Sequence, residues 1–196
     1  MNASSRWFSV FAGMCLAVQM AWGAEAPVIR ARTELQLSVF PPIQLVDSEY
    51  DVVGLRLGLF SMNHDVTGLD LGFLNWTSGD ELALQWGVLN KTTGRFAGVQ
   101  FGLVSLAGNG FVGWQASVVN LDSGKSVGFF NGAVNASLES GVGFQMGLCN
   151  YAKEFTGLQF GLVNYAQKMV GVQIGLLNFI TSKETLPVLP IVNASF

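Results

Sequence analysis

Between residues 52 and 178 large apolar residues alternate with glycine or polar ones at a period of two, and no helical period is present. The alternation comes in blocks. Aligned on Gly54, Gly68, Ala83, Gly98, Gly113, Gly128, Gly143, Gly157 and Gly171, nine eight-residue blocks follow at steps of 14 or 15. The clearest copies are GVQFGLVS (98–105), GFQMGLCN (143–150), GLQFGLVN (157–164) and GVQIGLLN (171–178). Slots one and five are Gly in eight of nine copies, slot three is Gln in six, and slot eight is Asn in seven. Slots two, four and six are apolar in every copy except at Asn131. Each block predicts a strand with Leu/Phe/Leu on one face and Gly/Gln/Gly on the other. Runs such as Thr77-Ser78-Gly79-Asp80 and Asp122-Ser123-Gly124-Lys125 predict the intervening turns.

Two all-β architectures satisfy a one-strand repeat. One is an antiparallel up-and-down barrel in which every repeat gives a strand and a turn. The other is a parallel β-solenoid in which every repeat gives one coil. Three features favour the barrel. Around Gln159 the block reads nearly the same in both directions, as strands of alternating direction require. A strand of about nine residues suits a membrane crossing. The chain also ends on Phe196, an aromatic on an alternating strand. The expectation is therefore a barrel of about 10–12 strands, with Leu, Phe and Val toward lipid and Gly and Gln toward the lumen. In the solenoid alternative the apolar residues would fill the core and Gly and Gln would face water. Residues 33–46 and 186–196 supply the further strands, the former interrupted by Pro41-Pro42.

Residues 1–26 have a different character. Arg6, an apolar run from Trp7 to Trp22, and small residues at Ala21 and Gly23 read as a secretory signal peptide cleaved after Gly23. Residues 27–196 then form a single repeat-built domain, with nine repeats in 54–178 and a C-terminal strand in 186–196. Removal of the signal leaves Cys149 as the sole cysteine, which excludes an intrachain disulfide.

The tandem GLQFGLVN blocks resemble those of bacterial surface-repeat-containing proteins. So do the lead-in LQLSVFPPIQL (35–45), VVGLRLGLFS (52–61), VTGLDLGFLN (66–75) and the closing LPVLPIVNASF (186–196). The resemblance covers most of residues 33–196. It implies an exported bacterial protein, and it implies no activity, cofactor or catalytic residue.

Composition sharpens this reading. The 196 residues include 24 Gly, are 50% hydrophobic and only 12% charged, and carry a net charge of −3. That balance gives no basic surface for nucleic acid. The one histidine, His64, falls in a turn, so no metal cluster or Ser-His-Asp arrangement is expected. Cys149, in slot seven, reads as a buried, inert thiol. No enzyme chemistry and no cofactor follow. The polar residues expected to line the lumen are Arg56, Asp70, Gln85, Gln100, Gln115, Gln145, Gln159 and Gln173. Arg56 and Asp70 share slot three of adjacent repeats and predict an ion pair rather than a charged constriction. Trp76, Tyr151, Tyr165 and Phe179 follow slot eight and predict an interfacial aromatic girdle. The expected role is that of an outer-membrane or surface protein in contact with outer-membrane lipid, structural or a narrow pore. The alternative is a soluble or surface-attached solenoid acting as a binding or adhesive scaffold.

Overall fold

The computed structural model describes residues 30–196, so the proposed signal peptide lies outside the described residues. The unit Ala31–Phe196 is built of strands joined by tight turns. In chain order these are β1 (Arg32–Phe40), β2 (Ile43–Gln44), β3 (Asp51–Asn63), β4 (Val66–Thr77), β5 (Glu81–Trp86) and β6 (Leu89–Thr92). There follow β7 (Arg95–Ala107), β8 (Gly110–Asp122), β9 (Lys125–Asn131), β10 (Val134–Ile180) and β11 (Val188–Ser195).

The blocks pair in parallel. Gly54 lies beside Gly68, Gly68 beside Ala83, and Gly98 beside Gly113, which in turn lies beside Gly128. Each slot therefore stacks on the same slot of the next repeat, and one repeat is one coil of a parallel β-solenoid. The expected antiparallel barrel does not form. Among the described residues the antiparallel pairings are β1 with β2 and β10 with β11, at the two ends of the stack.

The reason lies in the glycines. The eight slot-one glycines have φ between +128° and +150°, a region that L side chains rarely adopt, and mark a change of direction there, while Ala83 holds the same place in the stack without it. A second change of direction follows slot six. Leu162 and Val163, in slots six and seven, both face outward, and Asn164 in slot eight faces inward. The near-palindrome around Gln therefore describes one side of a coil and not a straight membrane-crossing strand. The long run β10 keeps extended geometry through these corners from Val134 to Ile180.

The sidedness follows the barrel expectation at slots two, three, four and six, although the barrel itself does not form. The positions facing inward are slots three, eight and ten and the residue two before slot one. Gln85, Gln100, Gln115, Gln145, Gln159 and Gln173 are all fully buried, as are the slot-eight Asn residues. The flanking inward positions supply small apolar clusters: Phe96, Ala107 and Phe111, joined by Phe130 of slot three, and Ala152, Phe155, Ala166, Met169 and Ile180. Leu, Phe and Val of slots two, four, six and seven point out. The solenoid alternative had placed these two sets the other way round.

Each end of the stack carries an antiparallel strand. β1 lies parallel to β3 with Gln36 opposite Arg56, then reverses at Pro41-Pro42 into the short β2. At the other end β11 sets Asn193 opposite Gln173, and Lys183 Nζ donates to Asn193 Oδ1 at 2.8 Å. Such end strands limit edge-to-edge growth.

A Cβ added at Gly157 would meet the carbonyl oxygen of Gly143 at 2.0 Å, at a φ of +134°. Gly157→Ala is expected to lower unfolding free energy by about 1–3 kcal/mol or more. Leu162→Ser, on the outer surface, should stay within about 0.5 kcal/mol. Denaturant melts of the two variants compare them directly.

Candidate functional site

Stacking in register gives each buried amide its own copy as a partner. Gln115 Nε2 donates to Gln100 Oε1 at 2.8 Å, and Gln100 Nε2 to Gln85 Oε1 at 2.5 Å. Beyond Phe130, Gln173 donates to Gln159 and Gln159 to Gln145, each at 2.7 Å. The slot-eight ladder runs the other way: Asn120 donates to Asn135, Asn135 to Asn150, Asn150 to Asn164 and Asn164 to Asn178, at 2.7–2.8 Å. An amide carries both donor and acceptor, so such ladders satisfy themselves without water.

The predicted polar set is thus one buried column, not a lumen lining. Its first segment ends on charge. Gln85 Nε2 donates to Asp70 Oδ2 at 2.7 Å, and Arg56 grips both Asp70 oxygens at 2.7 Å. Arg56 further donates to Thr77 Oγ1 at 3.0 Å and the Trp76 carbonyl at 3.2 Å. Burial alone would lower the Arg56 pKa, but the Asp70 carboxylate outweighs it and the net shift is upward. The pair is sealed from water and acts as a cross-link between coils.

Sequence reading missed three buried residues. Gln36 extends the glutamine column into β1, where its side chain bonds both the amide and the carbonyl of Val46. Its signal was the match of LQL (35–37) to slots two to four. Glu81 accepts from Gln85 at 2.8 Å and from Thr92 at 2.7 Å. Burial first, and then the charge of Asp70, push its carboxyl up to about 8. Burial likewise pushes Asp122 up to about 8. Burial thus shifts both acids toward their protonated forms.

His64 is less isolated than its turn position implies. Its Nδ1 lies 2.9 Å from Asp65 Oδ1 and 3.5 Å from Asp51 Oδ1. The same carboxylate atoms serve the backbone: Asp51 Oδ1 accepts from the Asp65 N–H, Asp65 Oδ1 from the Asp80 N–H, and Asp80 Oδ1 from the Arg95 N–H. The trio caps successive turns. Cys149, expected to be buried, is exposed in slot seven because that slot faces outward.

The outer surface carries the remaining pattern. Slots two, four, six and seven contain no Asp, Glu, Lys, Arg or His in any of the nine repeats. Slot six forms a ridge where two apolar faces meet, from Leu59 (64% exposed) to Leu176 (67% exposed). Beside it runs a shallow groove floored by Gly58, Gly72, Gly87 and Gly102, with Trp86 and Phe101 on one wall and Phe73 and Leu103 on the other. Slot nine borders the turns and carries Trp76, Tyr151, Tyr165 and Phe179. Tyr151 stacks on Tyr165 at 5.2 Å, and Lys91 Nζ sits 4.2 Å from the Trp76 ring centroid. Comparison with protein-family models, curated proteins and solved structures gives no match.

Two predictions arise from the interior. Glu81 and Asp122 have folded pKa values raised well above the ordinary carboxyl values of 4.5 and 3.8. The unfolded chain therefore releases their protons first, and the stability they contribute is full below about pH 4 and lost as pH rises through about 8. The melting temperature should fall between pH 5 and pH 9, at about 2–4 °C per kcal/mol. Glu81→Gln with Asp122→Asn should flatten that slope. Separately, Arg56→Leu strands the Asp70 carboxylate and is expected to cost about 3–5 kcal/mol in a denaturant melt.

Proposed function

We propose that the chain is an exported, surface-associated bacterial scaffold, held at the outer membrane or cell surface and free of enzyme chemistry of its own. The observation that carries this reading is the inverted partition of the coils. Their polar residues are consumed in buried ladders, while broad uncharged apolar faces are presented outward along the stack. Soluble monomers rarely expose contiguous apolar patches beyond a few hundred Å². Such faces suit binding and attachment. The signal-like features of residues 1–26 support export, and the resemblance to surface-repeat-containing proteins points the same way.

A narrow pore presupposes a barrel lumen, and the coil interior is filled by side chains instead. The role is therefore that of a binding or attachment scaffold, with the repeat extending the contact surface one coil at a time. Outer-membrane lipid is the proposed partner.

Expressed in a Gram-negative bacterium with residues 1–26 intact, the chain is expected in the outer-membrane fraction, shortened by the signal. Lys125 and Lys153, on the turn edge, should be open to amine-reactive labelling. Retention in the cytoplasm at full length, or release as a free monomer into the periplasmic extract, would overturn the reading.

A further inference from the structure

Resting on the membrane-associated reading above, we infer that the solenoid lies in the plane of a single lipid leaflet. The slot-six ridge sits in the acyl layer, the slot-nine aromatic row at headgroup level and the charged turn edge in water.

Charge fixes the orientation. Asp65, Asp80, Arg95, Lys125, Lys153 and Lys168 run along the turn edge for most of the stack. A stack axis normal to the membrane would draw this column through the hydrocarbon, where each charge costs several kcal/mol. An axis in the plane leaves the whole column in water and sends the opposite, uncharged edge down. Depth agrees. From slot ten to the slot-six ridge are four residue steps, a contour of at most about 13 Å at ~3.3 Å each, which fits within the about 15 Å of half a hydrocarbon core of ~30 Å.

The aromatic row gives an independent mark of depth. Slot nine falls between the ridge and the turns, and in three of the nine repeats it carries Trp76, Tyr151 or Tyr165, residue types enriched where lipid meets water. The Trp76 indole N–H points to Thr93 Oγ1 in the turn at 3.4 Å, so its polar atom faces the charged edge. Lys91, the one charged residue in slot nine, lies over the same ring with its ammonium on that level.

Lipid fits these faces better than a second copy. The two apolar faces diverge from the ridge, so a planar contact between copies would cover one and leave the other bare. A fluid apolar phase covers both. The glycine-floored groove beside the ridge also offers a track for a linear chain rather than for a flat sheet. Backbone groups of the inserted coils are already paired between coils, as a membrane environment demands.

Cys149, exposed in slot seven, provides the probe without altering the solenoid. In the full chain with Cys15→Ser, an environment-sensitive fluorophore on Cys149 is followed on adding vesicles of phosphatidylcholine and phosphatidylglycerol. A second chain with Cys15→Ser, Cys149→Ser and Ser123→Cys places the same label on a turn. The expected result is a blue shift at Cys149, a severalfold loss of iodide quenching, and quenching by mid-chain spin-labelled lipid, with little change at position 123. A Cys149 label already shielded in buffer would assign the face to a second copy and overturn the inference. So would vesicle binding that leaves the label in water, since residues 1–26 would then be the only tether. Burial of both labels would overturn the in-plane arrangement. The vesicle assay does not depend on export. A positive result in a chain that stays cytoplasmic would sink the surface role alone, and a negative result in an exported chain would sink only the leaflet geometry.

Discussion

The in-register parallel stack is the constraint from which the rest of this structure follows. Coils of 14 or 15 residues lie one strand spacing apart, about 4.8 Å, so each inward side chain meets its own counterpart above and below. A coil this short leaves a narrow interior. Amides suit it because each offers one donor and one acceptor along the axis, and repetition satisfies both. Once Gln and Asn occupy the interior, Leu, Phe and Val have only the outside. The usual partition of a globular domain is inverted because of that geometry, and not because the chain is short of apolar residues.

The two ladders are polarised in opposite directions. Glutamines donate toward the N-terminus and asparagines toward the C-terminus. Their side-chain dipoles therefore oppose one another along the axis. Where a ladder stops, an atom is left without a partner. Gln115 Oε1 faces the Phe130 interruption and Gln173 Oε1 faces β11, while Asn75 Oδ1 and Asn120 Oδ1 look toward the serines that replace Asn in slot eight. Phe130 is accommodated by Phe111 at 5.3 Å, which in turn stacks on Phe96 at 5.5 Å. At the N-terminal end the glutamine column ends on Asp70, whose charge is held by Arg56. A chain of polarised amides finishing on a carboxylate is a stronger end than one finishing on a bare carbonyl.

Much of this was legible in the residues. Nine repeats, their strand character, the turn positions and the shared slot of Arg56 and Asp70 all come from period and spacing. Strand direction was misread because the palindrome around Gln159 was weighed above the slot-eight Asn, whose in-register ladder a solenoid predicts. An Asn in slot eight of seven copies has no mirror partner on the other side of Gln. Antiparallel neighbours would scatter it to alternate ends, while parallel neighbours stack it. The barrel reading had the sides right for Gln and for slots two, four and six, while the solenoid alternative reversed them by assigning the apolar face to the core. Slot seven alone was misplaced, because alternation was carried through slots five to eight, where the chain turns a corner and slots six and seven both face out. Only the positive φ at slot one reveals that glycine there serves the corner. Glu81 and Asp122 gave no signal, since nothing in one sequence marks a turn-proximal carboxylate as buried.

The placement of apolar area bears on where stability comes from. Burial of apolar surface is worth roughly 25 cal/mol per Å², and in most domains folding collects it. Here folding collects the ladders, the backbone pairing between coils and the small Phe/Ala/Met clusters, but it leaves the side chains of slots two, four and seven mostly half-buried and the slot-six ridge largely exposed. The rest of their apolar area is covered only when something apolar meets the two faces. Association then adds to the stability of the stack, in proportion to the number of coils engaged, because each repeat brings the same outward set. A nine-fold repetition of an uncharged ridge makes sense in that light. Each coil alone adds a modest contact, and the stack sums them along one edge while the charges stay on the other.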